Sequence, residues 1–219
     1  MIDMTSPTPK LNRLHFVLFL ALMCINMTMA YAQSKDIQIL REIHNNHPQS
    51  MDPVLKCVTN TYPVIVVGTP LAMGITAYLT HNKQLGVDAL EIGASALANA
   101  GAVLVVKYAV NRDRPFTTYP DIIPKVSESG PSFPSYHTSA SFNTATALSL
   151  KYPKWYVIVP SYVWAGTVGY SRMHLGVHYP SDVAMGALMG IGSAWVTHRL
   201  NKWYQTKINE KNHGKTTLH

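Results

Sequence analysis

Apolar runs of helical length, separated by short polar segments, dominate the chain after residue 60. Tyr62–Thr80 holds nineteen residues without a charge, close to the roughly 20 that an α-helix needs to cross a bilayer. Strict alternation of apolar and polar residues, which is typical of strands, is absent, so the pattern predicts an all-α helical bundle. Four further runs follow: Leu85–Val106, Thr138–Leu150, Trp155–Tyr170 (interrupted by Pro160) and Val183–Thr197.

The segments between these runs are polar. Residues 33–60 predict a short helix near Lys35–Ile43 followed by a loop, and the proline-rich stretch Asn111–Ser135 predicts a second loop. The tail from His198 to His219 is polar and basic, and we expect it to be mobile. In the last apolar run, the spacing of three glycines predicts close helix packing: Gly186, Gly190 and Gly192.

The first 32 residues have the order of a secretory signal peptide. Lys10 and Arg13 precede an apolar run, Phe16–Met29, and Ala30-Tyr31-Ala32 then supplies a small-residue cleavage site. The alternative is an uncleaved first transmembrane helix. Either interpretation places the chain after residue 32 outside the cytoplasm. We therefore divide the chain into residues 1–32 (signal peptide or anchor), 33–60 (extracytoplasmic polar segment), 61–200 (helical catalytic domain) and 201–219 (basic cytoplasmic tail).

Charge refines this picture in two ways. Charged residues make up only 13% of the chain, about half the usual share of a soluble domain, which favours a membrane. The net charge of +7 indicates acidic partners, but no dense basic patch interleaved with aromatic residues is present, so nucleic acid is not expected.

The distribution of basic residues predicts a topology. If Lys10 and Arg13 lie in the cytoplasm and each apolar run crosses the membrane once, every basic turn returns to the cytoplasmic side, as the positive-inside rule requires. These basic turns contain Lys83, Lys151, Lys154, Arg199, Lys202 and Lys207. We expect five or six membrane-embedded helices, with Lys107–His137 and Ser171–Asp182 at the extracytoplasmic end. A soluble helical bundle stays open as an alternative, because several runs are only 13 to 16 residues long.

Those two extracytoplasmic segments hold three clusters of reactive residues within residues 107–182. Lys107 is followed after six residues by Arg114-Pro115. The second cluster is Pro134-Ser135-Tyr136-His137. The third is Ser171-Arg172, followed after five residues by His178 and after three more by Asp182.

Together these side chains suit a phosphate ester. Lys107, Arg114 and Arg172 supply cations and Ser135 a hydroxyl, which match the oxygens of a tetrahedral dianion. At a helix start, the spacing of four places Asp182 beside Nδ1 of His178, leaving Nε2 free as a nucleophile. His137 then serves as the general acid. Nothing in this set requires a metal or another cofactor.

Simpler interpretations exist for several of these residues. Lys107 is also placed where a lysine snorkels to a membrane interface. Arg112 and Asp113 are interpreted as solvated loop residues. His174 lies one turn before His178 and is assigned a structural place only.

The order and spacing of the clusters resemble the type 2 phosphatidic-acid phosphatase superfamily, which includes bacterial nonspecific acid phosphatases and vanadium haloperoxidases. The resemblance runs from Lys107 to Asp182. It implies an all-α core with the three motifs at one pocket and a covalent phosphohistidine on His178. In this scheme Asp182 orients His178, and His137 protonates the leaving oxygen and then activates water. The phosphate is bound by Lys107, Arg114, Ser135, Tyr136 and Arg172.

The sequence departs from the family at Tyr136, where the usual residue is Gly. In the family this Gly gives a backbone N–H to the phosphate. Tyr can do the same unless the site needs a positive φ, which is costly for a bulky residue. The phenol ring also narrows the pocket, so substrate preference is affected more than chemistry.

The sequence therefore predicts a metal-independent phosphatase of lipid phosphates or pyrophosphates in a bacterial-type inner membrane, with its site facing the periplasm. A soluble periplasmic acid phosphatase is the first alternative. A vanadium haloperoxidase and a non-catalytic phospholipid-binding membrane protein are the others. The sequence leaves the particular lipid and the oligomeric state open.

Overall fold

Every regular element that the structure describes is a helix, which confirms the all-α prediction. The computed structural model describes residues 34–46 and 48–216. The predicted signal peptide or anchor, residues 1–32, lies outside the described residues.

The polar segment before residue 61 is more helical than expected. Helix α1 covers residues 34–45, a 3-10 turn covers Gln49–Met51, and α2 covers Asp52–Asn60. The expected loop after Ile43 was therefore wrong for α2. This helix buries Leu55 and Thr59, which are four residues apart and so share one face. The helix has only nine residues, and Asp52, Lys56 and Asn60 interrupt its apolar ones, which hid it from a search for long apolar runs.

The apolar runs form the predicted helices with slightly different ends. These helices are α3 (Tyr62–Leu79), α4 (Lys83–Val110), α6 (Tyr136–Lys151), α7 (Trp155–His174) and α8 (Pro180–Thr216). A short helix, α5 (Pro115–Thr118), lies within the stretch Asn111–Ser135 that was predicted to be a loop. Pro160 lies inside α7 without ending it. Asn82 caps α4 by accepting a hydrogen bond from the Leu85 N–H at 3.1 Å. Asn111, with φ of 48°, ends α4 in the left-handed conformation.

Helix α8 continues well beyond its apolar run. The sequence predicted a mobile tail from His198, whereas α8 extends to Thr216. Residues 198–216 contain no proline and one glycine, Gly214, so no strong stop signal interrupts the helix.

Helix α6 lies at the centre and contacts α3, α4, α7 and α8. Most of its residues from Thr138 to Ala147 are buried. The buried polar groups bond to neighbouring helices: Ser139 Oγ donates to Asn99 Oδ1 at 2.7 Å, and Asn143 Nδ2 donates to Ser95 Oγ at 2.8 Å. Such bonds satisfy polar groups that would otherwise be buried without partners.

The predicted small-residue contact joins α8 to α6 at two of the three glycines. A Cβ on Gly186 would lie 2.6 Å from the Ser135 carbonyl oxygen, and one on Gly190 would collide with the Ser139 carbonyl oxygen. The prediction was wrong for Gly192, around which there is open space.

The outer faces of the bundle expose large apolar side chains. Among the described residues, two helical stretches, Gln49–Leu79 and Lys83–Thr118, are long and apolar enough to cross a membrane, and most of each is unburied. Exposed residues on α3, α4, α7 and α8 include Leu71, Ile75, Leu90, Leu97, Val163 and Leu188. An apolar surface of this extent indicates contact with lipid. The number of spans stays a prediction.

The basic turns meet at one end of the bundle. Lys151 pairs with Asp88 at 3.0 Å and with Glu91 at 2.6 Å, and His198 Nδ1 lies 2.7 Å from Glu91. The three sequence motifs lie at the opposite end. This separation agrees with the predicted topology.

Candidate active site

Helix ends and the loops beside them position every motif residue. Lys107 lies in the last turn of α4 and Arg172 in the last turn of α7. Ser135 precedes α6 as its N-cap, and Asp182 lies in the first turn of α8. Residues far apart in the sequence therefore meet at one end of the bundle, as the sequence predicted.

Arg114 is fixed by backbone carbonyls. Its Nε donates to Gly130 O, its Nη1 to Val177 O and its Nη2 to Ser129 O, each at 3.0 Å. Its side chain is only 5% exposed. Burial lowers the pKa of Arg114 from its usual value, although nearby Glu128 and Asp182 oppose this effect. The guanidinium group is thus held rigidly before any ligand binds.

Glu128 joins Arg114 to Arg172. Its carboxylate accepts a hydrogen bond from Arg114 Nη2 at 3.3 Å and another, short one from Arg172 Nη2. Arg172 is also fixed from behind, because its Nη1 donates to Thr59 Oγ1 at 3.0 Å. Carboxylate and phosphate oxygens accept the same bonds from guanidinium groups. The contacts of Glu128 therefore show that the two arginines can hold an anionic group between them.

Ser135 and Tyr136 begin α6 at the same site. Ser135 Oγ accepts a hydrogen bond from Thr138 Oγ1 at 3.0 Å, which leaves the Ser135 proton free for another acceptor. Tyr136 is the first residue of the helix and does not have a positive φ. The backbone therefore accommodates a tyrosine where the family has glycine, because the helical conformation here suits any L-residue.

The nucleophile predicted from the sequence, His178, is almost fully buried. Its Nδ1 lies 3.4 Å from Asp182 Oδ2, and its Nε2 lies 3.4 Å from Arg114 Nη1. Because a guanidinium group only donates, Nε2 must present its lone pair and Nδ1 must carry the proton. Helix α8 begins at Pro180, so the expected contact forms across the helix start and not along one helical face.

Burial also keeps His178 neutral. It lowers the pKa of His178 to about 4; Asp182 opposes this change, while Arg114 and Arg172 reinforce it. A neutral imidazole with its lone pair on Nε2 is the form that attacks phosphorus.

His137 lies beside Glu128, the residue that joins the two arginines. Its Nε2 is 3.9 Å from Glu128 Oε1, and its ring packs on Tyr62 with centroids 4.1 Å apart. Lys107 donates a short hydrogen bond to Pro131 O. Lys107 is therefore directed towards the motif loop, and the alternative of a snorkelling lysine does not describe it.

Two residues near the site were not identified from the sequence. Arg112, interpreted there as solvated, bridges Asp182 and Asp36, so that interpretation was wrong. Glu128 had not been considered. No sequence signal pointed to either, because the partners of Arg112 lie 70 and 76 residues away and those of Glu128 lie 14 and 44 residues away. Asp113 is exposed as expected.

His174 has the structural place assigned to it. Its Nε2 lies 2.6 Å from Asp52 Oδ1, and its carbonyl oxygen lies 2.9 Å from His44 Nδ1. These contacts tie α1 and α2 to the end of α7. Gly176 follows with φ of 74°, and a Cβ there would lie 2.9 Å from His44, so glycine is required at this turn.

Within the described residues, no group of three or more His, Cys, Asp or Glu side chains is arranged to hold a metal ion. An apolar groove of about 850 Å³ runs between α3 and α4 and ends at Tyr136. Its walls include Val66, Pro70, Gly93 and Leu97. A polar anion site and an apolar groove thus adjoin each other.

Comparison with known proteins identifies the family of this arrangement. The family model described as PAP2 superfamily matches residues 88–205, which is more than half of the chain. The chain is 35% identical over 78 residues to a lipid A 4'-phosphatase of Bacteroides thetaiotaomicron, covering 34% of this chain and 35% of that protein. It is 35% identical over 94 residues to an undecaprenyl-diphosphatase of Sulfolobus acidocaldarius, covering 42% and 44%.

The fold agrees with a solved structure. The crystal structure of a transmembrane PAP2 type phosphatidylglycerolphosphate phosphatase from Bacillus subtilis superposes with a TM-score of 0.70 at 23% identity. The superposition covers 86% of this chain and 95% of that one. The chain spans about a third to a half of the length of the curated relatives it matches.

Proposed function

The chain belongs to the PAP2 superfamily, and we propose on this premise that it removes terminal phosphate groups from membrane lipids through a phosphohistidine, without a metal ion. The observation that carries the proposal is the setting of His178. Its nucleophilic nitrogen faces Arg114, its other nitrogen faces Asp182, and the arginine pair that holds Glu128 lies beside it.

The reaction begins when a phosphate dianion displaces Glu128 from Arg114 and Arg172. Ser135 and Lys107 complete the set of donors around the phosphate. The bound dianion also favours the protonated form of His137, because opposite charges stabilise each other.

In the first step Nε2 of His178 attacks phosphorus. A nitrogen–phosphorus bond forms, the bond from phosphorus to the leaving oxygen breaks, and His137 gives its proton to that oxygen. The imidazolium that results on His178 keeps its Nδ1–H directed at Asp182. In the second step His137, now neutral, takes a proton from water, and the water oxygen attacks phosphorus. The nitrogen–phosphorus bond breaks, and inorganic phosphate leaves.

The groove between α3 and α4 supports a lipid as the substrate. It adjoins Tyr136, so a molecule with its phosphate at the arginine pair can lay a hydrocarbon chain along apolar walls. The relatives named for lipid A and undecaprenyl diphosphate substrates agree with this class. A soluble ester would leave the groove unused. We further propose that the site faces the periplasm, since the basic turns lie at the opposite end.

The test is phosphate release by the detergent-purified protein in excess EDTA. Wild type, His178→Ala and His198→Gln are compared over a panel of lipid phosphates, lipid diphosphates and one soluble ester. We expect EDTA-resistant release that His178→Ala abolishes and His198→Gln retains, because His198 lies at the far end of the bundle. Rapid quenching should also trap acid-labile phosphate on wild type and His198→Gln, but not on His178→Ala.

Three outcomes would contradict the proposal. Release that survives His178→Ala would exclude His178 as the nucleophile. Loss of release in EDTA that is restored by a divalent cation would exclude the metal-independent route. Tight binding of lipid phosphates without turnover would favour a phospholipid-binding protein that retains the pocket.

A further inference from the structure

Arg112 lies between two carboxylates beside the nucleophile. Its Nη1 donates to Asp182 Oδ1 at 2.8 Å, and its Nη2 donates to Asp36 Oδ2 at 2.8 Å. Its guanidinium carbon lies 3.8 Å from the centre of the Tyr179 ring. With its side chain 21% exposed, Arg112 is largely removed from water, so these contacts are screened less than those of a surface pair.

Asp182 divides its oxygens between different donors. Oδ1 accepts from Arg112, whereas Oδ2 accepts from the Tyr179 N–H at 3.0 Å and faces His178 Nδ1. A carboxylate bound on both oxygens cannot turn about its χ2 axis without breaking one of the bonds. The direction from which Asp182 meets His178 therefore depends on Arg112.

Asp36 fixes Arg112 in turn. It belongs to α1 and is only 7% exposed. Its carboxylate also accepts from the Ser181 N–H at 2.9 Å and, over a short distance, from the Ser181 hydroxyl. It thereby satisfies a backbone donor in the first turn of α8, which has no partner within the helix. A single side chain of α1 thus joins the guanidinium of Arg112 to the helix that carries Asp182.

We propose that Asp36 and Arg112 are positioning residues for the nucleophile, acting through Asp182, and that α1 is therefore part of the active site. The inference rests on the proposed function. With both of its oxygens held, Asp182 keeps Oδ2 directed at Nδ1 of His178, and this contact orients the imidazole ring with its lone pair on Nε2. In this proposal, the polar segment before residue 61 helps to position the nucleophile through Asp36 of α1.

A second ion pair of α1 offers a matched control. Arg41 and Asp121 lie 2.7 Å apart, with side chains 41% and 47% exposed. This pair joins α1 to the loop after α5. Its two hydrogen bonds run from Arg41 to Asp121 and do not involve Asp182. Replacing Asp121 removes one ion pair that holds α1 in place. It leaves intact the series of contacts from Asp36 through Arg112 and Asp182 to His178.

The experiment measures kcat and KM for Asp36→Asn, Arg112→Gln, the double variant, Arg112→Lys and Asp121→Asn, beside wild type and His178→Ala. We expect Asp36→Asn to lower kcat about tenfold and Arg112→Gln to lower it further, since groups in one network are coupled. KM should stay within about twofold, because neither residue belongs to the phosphate-binding set. The double variant should resemble Arg112→Gln, Arg112→Lys should recover part of the loss, and Asp121→Asn should match wild type.

Several results would overturn the inference while leaving the proposed function intact. His178→Ala is inactive under the proposed function; if Asp36→Asn and Arg112→Gln nevertheless match wild type, the positioning role is wrong. It is also wrong if their effects appear in KM, if the two losses multiply independently, or if Asp121→Asn loses as much kcat as Asp36→Asn. Persistence of activity in His178→Ala would instead contradict the proposed function.

A measurement without turnover tests the same idea. Nitrogen and proton NMR of histidine-labelled protein, with His178 assigned by its loss in His178→Ala, reports the strength of the hydrogen bond from Nδ1–H to Asp182. The proton should stay on Nδ1 in every variant that retains His178, because Arg114 still faces Nε2. We expect a far-downfield Nδ1–H proton resonance in wild type and Asp121→Asn, and an upfield shift in Arg112→Gln, in which Asp182 is held on one oxygen only. A resonance at the wild-type position in Arg112→Gln would overturn the inference whatever the substrate is.

Discussion

His178 is held between a donor and an acceptor, and burial keeps it neutral. Arg114 faces the lone pair on Nε2, and Asp182 faces the proton on Nδ1. The pKa of His178, lowered by burial to about 4, means that the reactive form is present well below pH 6.5. Neutral His178 is the active form under the proposed mechanism, so we expect activity to fall as the pH drops through this pKa and not through the usual value for histidine.

Asp182→Asn should change both the rate and its pH dependence. Asp182 raises the pKa of His178, so its loss should move the acid limb of kcat/KM to lower pH. The turnover number should fall about 10²- to 10⁴-fold, because the imidazole loses its orientation and the partner of its positive charge. The measurement is the pH profile of kcat/KM for both proteins on the same substrate. Because the substrate's ionisation affects both profiles equally, it cancels when they are compared. A wild-type acid limb at pH 6.5 that Asp182→Asn leaves unmoved would contradict this prediction.

Glu128→Gln should tighten anion binding. The wild-type carboxylate contacts both guanidinium groups, and an incoming anion must displace it. A charge-assisted bond contributes about 1.5–3 kcal/mol, so removing the charge should lower the inhibition constant of orthovanadate about tenfold. Glu42→Gln, an exposed residue of α1, makes the same change in net charge as a control. Equal inhibition constants for wild type and Glu128→Gln would show that Glu128 does not compete for the arginine pair.

At the scale of the elements, the close packing of α6 against α8 requires residues without side chains at Gly186 and Gly190 of α8. A methyl group on Gly190 would meet the Ser139 carbonyl oxygen and lie 2.8 Å from the Asn143 nitrogen. Both are backbone atoms of α6, which cannot move without moving the helix. The N-terminus of α6 carries Ser135, Tyr136 and His137, so this contact also fixes the site.

Gly190→Ala should therefore destabilise the protein by about 1–3 kcal/mol, the usual effect of overpacking. Gly192→Ala is the matched control, because no atom lies within 4 Å of its added methyl group. There, alanine should be neutral or stabilising by up to about 1 kcal/mol, owing to its higher helix propensity. Thermal unfolding in detergent compares the two variants with wild type. Equal melting temperatures for the two variants would refute the tight α6–α8 contact.

The elements show which features the sequence could predict. Helices α3, α4 and α7 followed from their apolar runs, because an uninterrupted run gives the same signal wherever the helix packs. Helix α2 was missed because it is only nine residues long and charged residues interrupt its apolar ones. The network from Asp36 to Asp182 was missed for another reason: it joins residues 146 positions apart, and only the packing of α1 against α8 brings them together.

At the scale of the whole molecule, the length of α8 exceeds the thickness of a bilayer. Its 37 residues extend about 55 Å, whereas the hydrocarbon core measures about 30 Å. The last turns therefore project from the membrane at the end of the basic turns. Exposed aromatic residues gather at this end, as at a membrane–water interface: Tyr78, Trp155, Tyr156, Trp203 and Tyr204.

Cys57 tests the predicted orientation. It is exposed on α2, which packs beside the motif end of α7. In intact bacterial cells whose Cys24 is replaced by Ser, a membrane-impermeant maleimide should label Cys57. The matched control carries Cys57→Ser and Lys154→Cys in the same background. It should be labelled only after the cells are permeabilised, because Lys154 lies at the end of the bundle that holds the basic turns. The reverse pattern would place the site on the cytoplasmic face.

The central position of α6 has a consequence for biogenesis. Its buried polar residues bond to α4, which is synthesised before it, and its backbone is covered by α8, which is synthesised after it. During translation α6 therefore stays only partly packed until α8 begins to leave the ribosome, which is about thirty residues after the end of α6. His178 and Asp182 are synthesised with the start of that last helix, so under the proposed function the nascent chain gains its nucleophile only as the bundle closes.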